Sequence, residues 1–222
     1  MEFNMQNVNL KQGQEETLSA HLNNGAGNID KKVACEIAAR SLRWAKELIY
    51  FSIQFEDAIQ SNVIRPEHFE KYLAVPEKVS NSVFYINLDW GKHPDIFKSI
   101  AEDAQIGIAN FAIICCKESY SKELWVEKTE DSDLYSAQMI LKSVRNAIGH
   151  MSAQPNGLAV PIWDINSKNR ILFEIKCLGI TLDTRNLHGT MFHFSHLGGL
   201  GKFLSLLDYL EKDLQKKIAL MP

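Results

Sequence analysis

Apolar residues recur along the chain in four stretches of helical period, separated by polar or irregular segments. In the first, Val33, Ile37, Trp44, Leu48, Phe51, Phe55 and Ile59 follow one another at steps of three, four or seven. That spacing predicts one long amphipathic helix, with Pro66 as its latest end. After His93-Pro94-Asp95, the residues Ile96, Ile100, Ala104, Ile108, Phe111 and Cys115 repeat the pattern, with Asp95 near a capping position. A polar link over 127–133 leads to Leu134, Ala137, Leu141, Val144 and Ile148, the most regular helical stripe in the chain. Gly149 follows directly, where a glycine in the left-handed conformation commonly ends a helix. Finally, Gly198-Gly199 precedes Phe203, Leu206, Leu207 and Leu210, which predicts a last helix ending in Lys212, Lys216 and Lys217.

Between these stretches the pattern changes. Residues 67–91 are irregular, with Pro76 expected to break a short helical turn. Beyond Pro155-Asn156-Gly157 the period shortens, so 160–165 and 170–175 predict two strands of a hairpin turning at 166–169. A third extended piece is expected in 180–183 or 191–194. Residues 1–30, rich in Asn, Gln and Gly, read as a flexible arm with at most a short helix over 15–22. The expected fold is therefore mainly α: an antiparallel helical bundle forming a single domain over 31–222, with a small C-terminal β-hairpin and a final helix.

Size supports that reading, because 222 residues with 45% apolar content can bury a substantial core without needing a second domain. A net charge of −3 creates no global attraction for nucleic acid, so contact with RNA must depend on a local group of Lys and Arg. The chain lacks the basic start of a secretory signal and any uninterrupted membrane-length apolar run, which predicts a cytoplasmic protein without a membrane partner. Cys35, Cys115, Cys116 and Cys177 have no CxxC spacing, so neither disulfides nor structural zinc are expected. Common phosphate-binding loops are excluded by the lack of G-x-x-x-x-G-K-[ST] and G-x-G-x-x-G.

The residues with most chemical potential close the third helix. Arg145 lies at the edge of its apolar stripe, Lys142 and Asn146 extend the polar face, and His150 falls at or past the end. In an unbroken helix Arg145 and His150 diverge by roughly 140°. They converge only if the chain turns at Gly149 or a second copy supplies one of them. His188, His193 and His196 lie close in sequence, but their H-x4-H-x2-H spacing matches no established metal signature. Asp183-Thr-Arg-Asn186 reads as a polar loop with an Asx turn.

The segment Arg145-Asn146-Ala147-Ile148-Gly149-His150 resembles the Arg-x4-6-His motif of the HEPN family, including the polar residue that often follows the arginine. Pro161-x-Trp163, Leu182-Asp183, Leu187-His-Gly189 and Gly198-Gly199 are similar to the tail of some bacterial HEPN-like proteins. The resemblance implies a HEPN-like helical bundle and a metal-independent RNA endonuclease, a toxin or stress-defence effector that needs no cofactor. His150 would then transfer protons, Arg145 bind phosphate and stabilise the transition state, Asn146 orient, and Lys142 with Arg145 contact RNA. The partners it implies are RNA, a second copy of the chain in a homodimer, and a separately encoded antitoxin. Two alternatives stand beside it. One is a non-catalytic HEPN-like RNA-binding or protein-interaction module. The other is structural, with Arg145 paired to a carboxylate and His150 capping the last carbonyls of its helix.

Overall fold

The computed structural model describes residues 30–69, 72–77, 82–87, 89–153 and 159–221. The expected arm and its short helix lie outside the described residues, Asp30 excepted. Among the described residues four helices dominate: α1 (Lys31–Gln60), α2 (Pro94–Glu118), α3 (Ser132–Gly149) and α4 (Leu200–Leu220). The protein is mainly helical, as the apolar period predicts. Three antiparallel two-stranded ladders accompany them: β1 (Tyr72–Glu77) with β2 (Ser82–Asn87), β3 (Met151–Ala153) with β4 (Ala159–Pro161), and β5 (Leu172–Ile175) with β6 (Ile180–Asp183). Contacts divide the described chain into two compact units, one over 54–103 and one over 30–53 with 104–221.

In the first unit, Ile59, Phe97 and Ala101 form a small buried cluster with Phe55, Ile64 and Trp90 against it. Its strands correct the expectation of an irregular segment. Pro76 does not break a helical turn; it sits within β1 opposite Val83. A two-stranded ribbon tolerates proline because an edge strand need not use every N–H.

The core of the second unit draws on all four helices and on β5–β6. Every predicted stripe residue of α3 and α4 is buried, including Leu134, Leu141, Val144, Phe203 and Leu210. Asp131 caps α3 by accepting from the Leu134 amide at 2.9 Å. The buried Gln138 ties the preceding segment to α3, donating to the Leu124 carbonyl and accepting from the Val126 amide.

The helices α1 and α2 form where the sequence predicts, but the buried face of each differs from the stripe of large residues. In α1 the buried side is Ala34, Cys35, Ala38, Ala39, Leu42, Ala45 and Ile49, whereas Val33, Ile37, Trp44 and Phe51 are 42–55% exposed. In α2, Ala109, Ala112, Ile113 and Cys116 are buried while Phe111 is 56% exposed with its ring edge against Trp44. Small side chains allow close backbone approach, so the alanine-rich faces are the ones that pack. Among the described residues α2 is also the one helix long and apolar enough to cross a bilayer by length and composition.

The predicted hairpin of 160–165 with 170–175 is not formed. Instead 159–161 pairs back onto 151–153, and 172–175 pairs forward with 180–183. Gly179 adopts φ 57° at the β5–β6 connection, a conformation that glycine adopts without a side-chain clash. Gly149, expected to be left-handed, is not: it completes α3 and the chain leaves the helix at His150, with φ −110° and ψ 86°. The ladder that begins at Met151 supplies partners for the departing backbone, so no left-handed cap is required.

Candidate functional site at the end of the third helix

α3 is buried along most of its length and turns a single polar strip outward. Lys142 and Asn146, one turn apart on that strip, line an open cleft of about 320 Å³. The opposite side comes from Asp164, Ile165, Asn166 and Asn169. Hydrogen bonding explains why this second wall stands where it does. The Ile162 amide donates to the His150 carbonyl at 3.2 Å, and the Trp163 amide donates to the Thr190 carbonyl at 2.8 Å. Trp163 and Ile165 are buried, so the alternation of an extended segment turns Asp164 outward between them. The Trp163 indole N–H donates to His196 Nδ1 at 3.0 Å, which keeps that nitrogen unprotonated. Burial, with His193 beside it, holds the His196 imidazole below its ordinary pKa.

His150 contacts the cleft residue Asp164, its Nε2 3.4 Å from Oδ2. Both side chains are about half exposed, at 55% and 44%. Backbone bonds fix its position: its amide donates to the Asn146 carbonyl and its carbonyl accepts from Ile162. On the other side of Asp164, Oδ1 lies 3.8 Å from His188 Nδ1. That nitrogen already accepts from the Ile165 amide at 3.1 Å, so it carries no proton to share and the contact is not an ion pair.

Arg145 is held differently. Its Nη2 pairs with Glu118 Oε1 at 2.6 Å, and Nη1 reaches Asn146 Oδ1 at 3.4 Å. Its Nε is buried with no partner among the described residues. The Lys142 ammonium stands 5.9 Å from the centre of the Trp125 ring, within reach of a cation–π attraction.

The structure thus places Lys142 and Asn146 on one cleft and connects His150 to it through Asp164. Arg145 joins through the Asn146 amide while a carboxylate occupies its guanidinium, which is the pairing that the structural alternative anticipates for the arginine. His150 does not use its side chain to cap carbonyls. Asp164, Asn166 and Asn169 are cleft residues that sequence reasoning missed; the buried-exposed-buried alternation around Asp164 was the available signal. Of the three clustered histidines, His188 accepts from the Ile165 amide, His196 accepts from the Trp163 indole and His193 lies against His196, and among the described residues no metal-ligating group of three forms. Asp183 does make the expected Asx turn, accepting from the Arg185 amide at 3.1 Å. The Arg185 guanidinium also bonds its carboxyl and holds it down at about 2. No protein-family model, curated protein or solved structure matches this chain.

Proposed function

We propose that this protein is a HEPN-type, metal-independent RNA endonuclease acting as a homodimer. The observation that carries the reading is the placement of His150 and Asp164 beside a cleft lined by Lys142 and Asn146. RNA cleavage without a metal needs a group that removes the ribose 2′ proton, a proton for the departing 5′ oxygen, and positive charge for the phosphoryl oxygens. In the proposed reaction His150 takes the 2′ proton as the 2′ oxygen attacks phosphorus and the P–O5′ bond breaks. The 5′ oxygen receives a proton from the imidazolium of the second copy or from solvent. The products are a 2′,3′-cyclic phosphate and a 5′-hydroxyl. Asp164 orients the imidazole through Nε2, Asn146 orients Arg145, and Lys142 and Arg145 bind phosphate.

Phosphate must displace Glu118 to use Arg145 Nη2, the nitrogen now paired with that carboxylate. That requirement favours a second reading, a HEPN-like module that binds RNA or protein without cutting. A cytoplasmic setting, a toxin or stress-defence role and a separately encoded antitoxin belong to the first reading.

Incubation of the protein with total RNA in excess EDTA tests the proposal, with sedimentation to measure assembly. Cyclic-phosphate ends are expected from the unmodified protein and none from His150→Ala or Arg145→Ala. Cleavage that persists in both variants removes these residues from the mechanism; salt-dependent binding with no product selects the second reading.

A further inference from the structure

We infer that the cleft between α3 and residues 164–169 is a base-binding subsite selective for guanine. The argument follows from which polar groups of the lining are already used. Ser143 Oγ donates to the Met139 carbonyl, and the Ile165 amide donates to His188. Asn146 Oδ1 lies 3.4 Å from Arg145 Nη1 and Asn166 Oδ1 accepts from the Lys168 amide at 3.1 Å, which turns each oxygen to its donor and leaves each NH₂ without a partner among the described residues. Lys142 adds an ammonium, and the Asn169 side-chain amide has no partner among the described residues. The cleft is therefore rich in unused donors.

Its charged acceptor is the Asp164 carboxylate, which is 44% exposed and has few protein donors among the described residues. Oδ2 has the long contact to His150, and Oδ1 faces only a His188 nitrogen that bears no proton. A carboxylate so placed calls for N–H donors. Guanine alone among the four bases offers two adjacent donors on one edge, N1–H and the N2 amino group. It also offers two adjacent acceptors, O6 and N7, to donors such as Lys142 and Asn166. Adenine and cytosine set a ring-nitrogen lone pair beside their amino group, which a carboxylate repels, and uracil places its single N–H between two carbonyls. Two further features fit a base. The volume of about 320 Å³ is at the small end of ligand clefts, the scale of one nucleotide. The wall is also held at Asn169, whose carbonyl accepts from the buried Thr184 hydroxyl at 2.6 Å, and that hydroxyl accepts from the Ile171 amide at 2.9 Å.

That the guanine belongs to an RNA strand rests on the nuclease reading; the guanine site itself does not. The test uses the full chain and calorimetric titration with GMP, AMP, CMP and UMP, together with mapping of cleavage sites in RNA. GMP is expected to bind roughly tenfold tighter than the other three, the scale of one bidentate base contact. Asp164→Asn should abolish that preference, and Asn169→Ala should weaken GMP several-fold with an unchanged circular dichroism spectrum. Equal affinity for the four nucleotides, or GMP binding unchanged in both variants, overturns the inference. Guanine-selective binding without RNA cleavage keeps the subsite and removes the nuclease. Cleavage indifferent to guanine, with unselective binding, does the reverse. Selective cleavage of RNA supports both and identifies the strand, not the free nucleotide, as the source of the base.

Discussion

Two groups of charged side chains lie in the second unit, and they differ in how completely they are satisfied. Glu211, on α4, has a side chain only 8% exposed, yet Arg43 donates to it at 2.9 Å, Lys46 at 2.8 Å and Gln215 at 2.7 Å. Lys46 also bonds Asp208. Burial pushes the Glu211 carboxyl up, and the bonds from Lys46 and Arg43 outweigh it, leaving the group below the usual carboxylate range. His150 and Asp164 present the opposite case, half-exposed groups joined by a long 3.4 Å contact, and beside them Arg145 has a short pair with Glu118 but a buried Nε with no partner among the described residues. The first arrangement leaves nothing to offer a ligand. The second leaves hydrogen-bonding groups open to solvent at a cleft, where a ligand can use them.

The sharpest way to break this contrast is to remove His150. RNA cleavage should fall by about 10²- to 10⁴-fold in His150→Ala, the range for loss of a proton-transfer group, while thermal stability changes little because the side chain is exposed. Glu211→Ala should do the converse. Leaving Lys46 without its buried partner is expected to cost roughly 3 kcal/mol in denaturant unfolding, and nucleotide binding should not change. Equal effects of the two substitutions on both readouts would erase the distinction drawn above.

Glu118→Gln offers a smaller and more specific effect. Releasing Arg145 from its carboxylate should strengthen RNA binding several-fold at low salt and steepen the salt dependence by about one phosphate contact, measured by fluorescence anisotropy. Weaker binding would mean that Glu118 positions the guanidinium and does not compete with phosphate. The smallest expected effect is on pH dependence. His196 has a folded pKa below its unfolded value, so its contribution to stability is complete above about 6.5 and is lost as pH falls toward the folded value. Protonation at Nδ1 also removes the acceptor for the Trp163 indole, so the thermal midpoint and Trp163 fluorescence should change together over that interval. Glu211 follows the same sign at lower pH: its stabilisation is full above the ordinary carboxylate value and disappears as pH drops through the depressed one.

The helices were legible from sequence because a period of three and four records which side of a helix meets a core. For α3 and α4 the record was complete, and the stripe residues Leu134, Ala137, Leu141, Val144 and Ile148 are buried as predicted. For α1 and α2 the length was legible and the face was not. Trp44, Phe51 and Phe111 dominate a hydrophobic count, but the alanines beside them form the contact surface. The strands were least legible. The segments 160–165 and 170–175 both look extended, yet nothing local states whether they pair with each other or with neighbours on either side. The candidate site shows the same limit: Arg145, Asn146 and His150 could be found by their spacing, whereas Glu118 and Asp164 are separated from them in sequence and join them only through packing.

Local sequence determined where four helices run, where the third one ends, and that a guanidinium, an amide and an imidazole lie within two turns of that end, because each of these follows from spacing within a few turns. Only the tertiary structure decided which helix faces are buried, which segments pair as strands, and which carboxylates meet Arg145 and His150. Those outcomes depend on contacts between residues distant along the chain, whose competing partners have similar local character.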